Sequence, residues 1–443
     1  QWLGQCIFPG MRYREAIDFL FTSLPMYQRQ GKAAYKSTLE NTLRLDKYFA
    51  HPHRKYATIH VAGTNGKGSV SHMIASVLQA SGLRTGLYTS PHLLDFRERI
   101  RINGQPIPEE EVTRFVGENR EIIGEIKPSF FEMTVAMAFD YFARKEVDVA
   151  VIETGLGGRL DSTNIILPDL TVITNISLDH TEFLGTHPTS IAREKGGIIK
   201  KNVPLVIGRN EASTAEVLYS MAHERSAPVV SASENYLAQF RTVDADGKMH
   251  LRIGKAGETS SKTIICDLTG EYQQENIITA LTALEQLQKL HWKISMAHIL
   301  DGFASVTAST GIRGRWETIG HNPRSICDTA HNVDGIAAVI GQIRQTPWKR
   351  LHMVWGMVSD KDLDLILPLL PEEAAYYFTR SSVPRSMNAR VLAERAREYG
   401  LKGIPYPNVE EAYRAAQAEA GPEDMIFTGG STFVVADLLL MKF

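Results

Sequence analysis

The chain has 443 residues, of which 43% are hydrophobic and 22% charged, and its formal net charge is -2. This length predicts two or three domains, and the composition is typical of an ordinary soluble globular protein. A nearly neutral chain argues against a general nucleic-acid binder, because binding to a phosphate backbone needs a basic surface.

Targeting and redox signals are also missing from the sequence. Its apolar runs are too short to span a membrane, and residues 1–10 lack the basic start and apolar centre of a signal peptide. The three cysteines are far apart and form no CxxC pair, which indicates neither a disulfide framework nor a thiolate zinc site. We therefore expect a cytoplasmic protein without nucleic-acid or membrane partners.

Short apolar runs alternate with helical patterns in the first two thirds of the chain. Such runs suit strands buried on both faces of a parallel sheet, with ligand loops at the strands' carboxyl ends. The predicted strands lie within 56–63, 84–90, 147–155, 169–177 and 203–208, and the predicted helices within 68–80, 188–200 and 272–290. Residues 228–268 alternate differently, with a turn at DADGK, and predict antiparallel strands.

The stretch at 302–316 is small, glycine-containing and aperiodic, and predicts a domain boundary, which we place between residues 308 and 309. The alternation then resumes, with strands within 324–332, 350–358, 374–382 and 424–431 and helices near 333–345, 388–399 and 409–419. We expect an α/β protein. Residues 1–308 would form a P-loop-type, mostly parallel-sheet ATPase domain with a small antiparallel subregion, and 309–443 a smaller Rossmann-like α/β domain.

A glycine-rich turn, AGTNGKGSV at residues 62–70, joins a predicted strand to a predicted helix. Its N–H groups and the helix N-terminus form an anion site, Lys67 adds a cation, and Ser69 adds a hydroxyl suited to Mg²⁺. The spacing departs from the Walker A pattern, because Gly68 separates Lys67 from Ser69 and Val61 stands where the first glycine belongs. A turn without a ligand is the alternative, but the flanking strand and helix favour phosphate.

Two neighbouring strand ends carry candidate metal ligands. Glu153 ends the strand within 147–155, where a carboxylate is well placed to hold Mg²⁺ beside a phosphate loop. Capping of the following turn is the alternative. His180 and Asp179 follow the next strand; a lone histidine is usually structural, and a hard ion prefers oxygen ligands.

Lys195 precedes two glycines in AREKGGIIK. It is either a helix-end lysine that faces water or a catalytic one, since a lysine held neutral is nucleophilic and can take up CO₂ as a carbamate.

Eight strings occur in one order: HVAGTNGKGSV, TSPHL, ERIRING, VIETGLGGRLDSTN, ISLDHTEFLG, REKGGI, GRWE and DTAHN. Together they resemble folylpolyglutamate synthase and its bifunctional form with dihydrofolate synthase activity, within the Mur ligase superfamily. The resemblance runs from about Met11 to the C-terminus, and the altered loop GTNGKGS is itself a mark of this family. It implies an ATP-dependent amide ligase that forms an acyl phosphate, with ATP, L-glutamate and either dihydropteroate or a reduced folate as substrates.

The resemblance also implies the residues of the site. Those that hold ATP would be Gly63, Thr64, Asn65, Gly66, Lys67, Gly68, Ser69, Gln273, Asn276, Arg315, Asp328 and His331. Two Mg²⁺ ions would be held by Ser69, Glu153 and His180, and catalysis would use Lys67, His180, Lys195 and Arg315. Lys195 matches a lysine that is carbamylated in relatives.

Folate-binding residues follow by the same match. Thr89, Ser90, Pro91 and His92 resemble the loop that closes over the pterin. Phe131 lies in a segment that resembles a helix lining the folate site, with plain core packing as the alternative. A monomer is the family default.

Two departures from the family pattern stand near the nucleotide strings. Tyr272 replaces a histidine, and Thr329 replaces a glycine in DTAHN, where its side chain would crowd the turn.

Three other functions share parts of this pattern: another Mur-superfamily amino-acid ligase, a P-loop small-molecule kinase and a nucleotide-dependent switch. The strings TSPH, ERI and DTAHN disfavour the first. A kinase needs no glutamate site and no second domain that supplies Arg and His, and a guanine-reading N-K-x-D string is absent. The sequence leaves open whether the enzyme acts on dihydropteroate, on folates or on both.

Overall fold

The computed structural model describes residues 11–25, 38–209 and 211–441, so the opening segment 1–10 lies outside the described residues. Within these ranges the chain forms a mixed α/β protein with two large sheets and one small sheet. Among the helices of the described ranges, none is both long enough and apolar enough to cross a bilayer.

The first large sheet has eight strands in the order β4-β3-β2-β5-β1-β6-β7-β8. They are β1 (Ala57–Ala62), β2 (Thr85–Tyr88), β3 (Ile100–Ile102), β4 (Gln105–Pro106), β5 (Val149–Glu153), β6 (Leu170–Ile173), β7 (Leu205–Ile207) and β8 (Val229–Ser231). Six strands are parallel, and β3 and β4 run antiparallel at one edge. The loops after β1, β5, β6 and β7 therefore meet at one edge, as the sequence predicts.

The helices around this sheet cover both of its faces. They are α1 (Tyr13–Ser23), α2 (Glu40–Tyr48), α3 (Lys67–Ala80), α4 (Glu109–Glu118), α5 (Arg120–Ile126), α6 (Phe130–Arg144), α7 (Thr181–Leu184), α8 (Pro188–Gly196), α9 (Ala212–Glu224) and α10 (Ala232–Asn235). Short 3₁₀ turns lie at Pro52–Lys55, Phe96–Arg99 and Ser162–Ile165. Helix α3 is buried over 69–78 because the sheet lies on one side of it and further helices lie on the other.

A small antiparallel sheet follows, with β9 (Tyr236–Val243), β10 (Met249–Lys255) and β11 (Ser261–Cys266). The prediction of antiparallel strands for 228–268 is therefore confirmed from residue 236 onwards and was wrong before it, because β8 pairs in parallel with β7 and α10 is helical. Helices α11 (Gln273–Lys289), α12 (Met296–Ala304) and α13 (Val306–Thr310) then return to the large sheet. The prediction that 302–316 is aperiodic was wrong for its first part, because α12 and α13 are helical and pack on α3. The boundary predicted between residues 308 and 309 falls inside α13, and residues 311–316 connect α13 to the second large sheet.

The second large sheet has six strands in the order β12-β13-β17-β14-β15-β16. They are β12 (Glu317–His321), β13 (Arg324–Cys327), β14 (Leu351–Trp355), β15 (Ala375–Phe378), β16 (Gly403–Pro405) and β17 (Met425–Gly429). Its helices are α14 (Val333–Gln345), α15 (Leu363–Ile366), α16 (Ala389–Arg397), α17 (Val409–Glu419) and α18 (Thr432–Leu439), with a 3₁₀ turn at Leu367–Leu369. All pairings except that of β12 are parallel, which confirms the predicted smaller α/β unit.

A buried histidine on β1 fixes the loop after β5. The hydroxyl of Thr163 donates to Asp161 Oδ1 at 2.6 Å, so His60 Nε2, 2.8 Å from the Thr163 oxygen, is the donor of that pair. Asp161 Oδ2 in turn accepts the N–H groups of Gly155 and Leu156, both at 2.8 Å. This chain of bonds ties the strand that carries the phosphate loop to the loop that follows Glu153.

Burial lowers the pKa of His60 to about 3, so the folded protein keeps this ring neutral. In the unfolded chain the ring titrates near its usual pKa of about 6.5. We expect the contribution of His60 to the free energy of unfolding to be complete above pH 6.5 and to be lost as the pH falls from 6.5 towards 3. The loss is at most about 1.4 kcal/mol per pH unit for this group. The measurement is the free energy of unfolding in urea between pH 7 and pH 4.

The variant His60→Gln removes this titration, and its free energy of unfolding is expected to fall less steeply with decreasing pH. Replacement of the exposed His321 by Gln is the matched control and keeps the wild-type slope. Equal slopes in wild type and His60→Gln would contradict a neutral, buried His60.

Candidate active site

The glycine-rich loop turns sharply between β1 and α3. Gly66 has a φ of 83°, in the left-handed region that favours glycine, and α3 begins at the next residue. A Cβ on Gly66 would lie 2.3 Å from Oδ1 of Asn276 on α11. The loop therefore needs glycine at this position both for its backbone and for its fit against α11.

Two lysines converge on one carbonyl oxygen of the loop. Lys67 Nζ donates to Gly63 O and Thr64 O at 3.0 Å each, and Lys195 Nζ donates to Gly63 O at 2.7 Å. Lys195 is only 4% exposed. Burial, and then the charge of Lys67, lower the pKa of Lys195 to about 7. Lys195 is thus not a solvent-facing helix end, and near neutral pH about half of it is an uncharged amine.

Glu153 and Arg315 lie together at the start of α3. A Cβ on Gly68 would be 3.7 Å from Arg315 Nη2 and 3.8 Å from Glu153 Oε2, although Glu153 ends β5 and Arg315 belongs to the stretch that leads into the second sheet. The N–H of Ser90 donates to Glu153 Oε2 at 3.2 Å. Burial raises the pKa of Glu153 to about 7, against the lowering effect of Lys67. A further cation beside this carboxylate would favour its charged form.

The predicted metal ligands do not form a complete protein cage. Among the described residues, no three His, Cys, Asp or Glu side chains are grouped so that they could hold a metal ion. Ser69 and Glu153 line the cavity at the loop, whereas His180 lines a neighbouring cavity. Two oxygen donors fit Mg²⁺, because this ion usually binds one or two protein oxygens and keeps phosphate and water as its other ligands.

Two predicted adenine-side residues lie against the loop. Gln273 is fully buried and donates to Ser69 Oγ at 3.2 Å. Asn276 Nδ2 donates to Gln273 Oε1 at 2.7 Å. Asn276 lines the loop cavity, whereas Gln273 lies beneath the loop and supports it.

Asp328 is held by protein groups on both carboxylate oxygens. Its Oδ2 accepts from Tyr272 Oη at 2.5 Å and from the Trp316 N–H at 2.7 Å, and its Oδ1 accepts from the Ala330 N–H at 2.8 Å. The tyrosine that replaces the family's histidine thus links α11 to the second sheet. Burial raises the pKa of Asp328.

Thr329 does not crowd its turn. Its hydroxyl donates to Gly314 O at 3.1 Å, and its N–H donates to the same oxygen at 3.0 Å. The predicted steric problem is therefore absent, because the side chain points into a hydrogen bond with the connecting stretch.

The buried carboxylate of Asp179 is surrounded by side chains from the α/β unit of the second sheet. Lys361 Nζ donates to Oδ1 at 2.7 Å, and Asn332 Nδ2 donates to Oδ2 at 3.2 Å. His331 Nδ1 donates to Thr329 O, which leaves Nε2 directed towards Asp179 Oδ2 at 3.6 Å. Burial alone would raise the pKa of Asp179, but these partners hold it well below its usual range.

A second cavity of about 240 Å³ lies beside the loop cavity, which has a volume of about 650 Å³. Its lining includes Phe130, Phe131, Asp161, His180, Lys361 and Phe433. The two cavities share four lining residues, Ser90, Pro91, His331 and Thr432. The cavity at the glycine-rich loop therefore lies next to one with aromatic walls.

The predicted folate-binding residues are divided among the second cavity, the loop cavity and the protein interior behind the loop. Ser90, Pro91 and Phe131 line the second cavity, and Thr89 lines the loop cavity. His92 lies behind the loop, with its ring 6.0 Å from that of Phe21, and accepts from Arg99 Nε at 2.7 Å. Burial lowers the pKa of His92 to about 3, so it is a neutral acceptor that supports the loop.

Several residues of the site were not assigned from the sequence. Asp334, Arg209, Asn175 and Lys361 form contacts between the two large sheets. Their partners are more than 100 residues away, so local spacing does not reveal them. The sequence pointed to this region only through the DTAHN string, which ends at Asn332, two residues before Asp334.

The fit of Gly66 against Asn276 gives a test of the loop. In Gly66→Ala, we expect binding of a non-hydrolysable ATP analogue to weaken at least tenfold, because the new Cβ displaces Asn276 and shifts the loop. Gly82→Ala is the matched control, since Gly82 has a φ of 87° but no atom within 4 Å of an added Cβ. Both variants carry the left-handed strain of about 1–2 kcal/mol, so only the fit differs between them. Equal affinities by titration calorimetry would contradict the assignment of the loop.

Comparisons with known proteins agree with this geometry. The model of the Mur ligase middle domain matches residues 61–284, and that of the Mur ligase glutamate ligase domain matches residues 314–432. The chain is 32% identical over 427 residues to the folylpolyglutamate synthase of Lacticaseibacillus casei, covering 95% of this chain and 96% of that protein. It is 31% identical to a probable bifunctional folylpolyglutamate synthase/dihydropteroate synthase of Haloferax volcanii and spans 50% of that longer protein.

Solved structures give the same result. Escherichia coli FolC in complex with DHPP and ADP superposes with a TM-score of 0.84 at 29% identity, covering 97% of both chains. The bifunctional folylpolyglutamate synthase/dihydrofolate synthase of Yersinia pestis, complexed with AMPPNP and a Mn ion, has a TM-score of 0.82 at 28% identity and covers 98% of this chain and 99% of that chain. The chain therefore belongs to the folylpolyglutamate synthase/dihydrofolate synthase family of Mur ligases, the enzymes that attach L-glutamate to folates with ATP.

Proposed function

We propose that this chain joins the amino group of L-glutamate to a carboxyl group of dihydropteroate, of a reduced folate, or of both, with ATP as co-substrate. The observation that carries the proposal is that the cavity at the glycine-rich loop and the cavity with aromatic walls are adjacent and share four lining residues. A flat ring system fits the aromatic cavity, and its carboxyl end would reach the phosphate loop. The ADP and DHPP bound in the E. coli relative support this arrangement.

The chemistry requires two bond exchanges. A carboxylate is a poor electrophile, so one of its oxygens first attacks the γ-phosphorus of ATP, and ADP leaves. The neutral amine of L-glutamate then attacks the acyl carbon, loses a proton, and displaces inorganic phosphate as the amide forms. Both steps are accelerated mainly by positioning and by neutralisation of charge.

The loop and two cations would serve the nucleotide. Lys67 and Arg315 would hold the phosphate oxygens, together with the N–H groups of Gly66, Gly68 and Ser69 at the start of α3. Of the other residues predicted to bind ATP, five line the loop cavity: Thr64, Asn65, Asn276, Asp328 and His331. Gly63, Thr64, Asn65, Gln273 and Asp328 would act through the shape of the site, because their polar groups are largely bonded to protein.

Mg²⁺ would bind at Ser69 and Glu153, whose oxygen atoms suit a hard cation. The bound metal would neutralise phosphate charge during transfer. His180 is the third predicted ligand; burial lowers its pKa to about 4, so the ring is neutral and offers a lone pair. We predict a second ion that His180 would bind. The Mn ion in the Yersinia pestis relative supports a divalent metal at the site.

The ligase can be distinguished from its alternatives by the release of phosphate from Mg-ATP. We expect release that depends strictly on L-glutamate and on an acceptor, with 7,8-dihydropteroate and tetrahydrofolate tested in parallel. Lys67→Ala and Glu153→Ala are expected to lower the rate at least a hundredfold, because each removes a charge at the phosphates or the metal.

Release that needs the acceptor but no amino acid would instead indicate a kinase. Release with a cell-wall precursor and another amino acid would indicate a different Mur ligase. The surface variant Lys349→Ala is the control for expression and assay, since Lys349 is exposed and lies outside both cavities.

We propose further that Lys195 is carbamylated in the working enzyme. Its depressed pKa supplies the neutral amine that attacks CO₂, and the product replaces a cation beside Lys67 by an anion. Removal of CO₂ and bicarbonate is expected to lower activity, and their return is expected to restore it faster at pH 8 than at pH 6, where the amine is mostly protonated.

Variants at this position provide the control. Lys195→Ala is expected to be inactive and to recover in part with propionate, which supplies a carboxylate in the vacated space. Lys195→Arg keeps the cation and fills the space, so propionate should have no effect on it. Rescue of both variants, or of neither, would contradict the carbamate.

A further inference from the structure

The side chain of Asn65 reaches from the glycine-rich loop to the start of α14, and both Asn65 and its partner Asp334 line the loop cavity. Its Nδ2 donates to Asn332 Oδ1 at 3.2 Å, and its Oδ1 accepts from Asn332 Nδ2 at 2.9 Å. The same Nδ2 also lies 3.1 Å from Asp334 Oδ2. Two asparagine amides thus form a reciprocal pair that spans the two large sheets.

The backbone of Asn65 is occupied as well. Its N–H donates to Asn175 Oδ1 at 2.7 Å, and its carbonyl oxygen accepts from Thr174 Oγ1 at 2.5 Å. Both partners follow β6, the neighbour of β1 in the sheet. The polar groups of Asn65 are therefore committed to protein partners, and an amide whose donors and acceptors are paired has little left to offer a phosphate.

The partners of Asn65 are themselves fixed. Asn332 is the N-cap of α14, and its Oδ1 accepts the Gly335 N–H at 2.9 Å. Asp334 also accepts from Arg209 Nη2 at 3.1 Å and from Asn175 Nδ2 at 3.3 Å. The carboxylate of Asp334, at the start of α14, thus accepts hydrogen bonds from side chains in the loops after β1, β6 and β7.

We propose that Asn65 is a positioning residue that couples the shape of the phosphate loop to the docking of the second sheet. We name the contacts among Asn65, Asn332 and Asp334 the asparagine bridge. The bridge holds the loop in the form that places Lys67 and Arg315 around the transferred phosphoryl group, since Arg315 lies beside the start of α3 and belongs to the stretch that connects α13 to the second sheet. Loss of the bridge should impair phosphoryl transfer more than nucleotide binding.

Charge exchange across the bridge gives a direct test. Asn65→Asp keeps the size of the side chain but places a carboxylate beside Asp334 and removes the donor to Asn332. Adding Asp334→Asn removes the repulsion and restores an N–H donor opposite the new carboxylate. We expect Asn65→Asp to lower kcat at least tenfold with less than a threefold change in the KM for ATP, and the double variant to recover at least half of that loss on a logarithmic scale.

The matched control combines Asn65→Asp with Glu410→Gln. Glu410 is an exposed carboxylate on α17 of the same sheet, paired with Arg414, and it lies outside both cavities. This pair of substitutions removes the same charge but should give no recovery. Equal recovery by Glu410→Gln would overturn the proposal, as would an effect of Asn65→Asp on the KM for ATP alone.

The proposal rests on the proposed phosphoryl transfer for its kinetic readout, so a second readout does not use turnover. Hydrogen exchange at residues 332–335, with a bound non-hydrolysable ATP analogue, reports the N-cap of α14. We expect faster exchange in Asn65→Asp and restored protection after Asp334→Asn. Unchanged protection in Asn65→Asp would overturn the bridge, whereas the expected protection pattern in a chain without ligase activity would refute the proposed function and leave the bridge supported.

Discussion

The site depends on one carbonyl oxygen, that of Gly63, which accepts hydrogen bonds from the ammonium groups of Lys67 and Lys195. Two cations held this close in a buried place repel each other. The pKa of Lys195 is lowered first by burial and then by the charge of Lys67. Anions must therefore lie nearby for the arrangement to hold both charges. Asp161 and Asp179 both raise the pKa of Lys195, and phosphate groups of a nucleotide would complete the neutralisation.

The sequence was informative wherever a residue's position follows from one strand and its loop. Glu153 and the glycine-rich loop were predicted to lie together because both stand at the carboxyl ends of strands in one sheet. The structure pairs those two strands, β5 and β1, in parallel, and Glu153 lies at the start of α3. The apolar runs of these strands and the glycines of the loop are local signals. Arg315 was placed by resemblance alone, and the structure brings it to the same point from the stretch that connects α13 to the second sheet.

Residues whose role depends on distant partners could not be assigned in this way. Gln273 and Asp328 were expected near the nucleotide, and Asp328 does line the loop cavity, but the sequence did not reveal that their amide and carboxylate are bonded to Ser69, Tyr272 and Trp316. Asn65 pairs with a residue 267 positions away. A pattern of polar letters shows that such a side chain has a partner, but only the fold decides whether that partner is a ligand or another part of the protein.

The phosphate loop is thereby divided into two halves with different constraints. The N–H of Thr64 donates to Asn175 O at 2.9 Å, its hydroxyl donates to Ser177 O at 3.0 Å, and Asn65 is bonded to protein throughout. The stretch from Gly66 to Ser69 begins a helix, where the first N–H groups have no partner within the helix. A sequence motif defined from phosphate contacts alone would allow any residue in the first half of the loop. In this chain those positions attach the loop to the segment that follows β6 and to the start of α14.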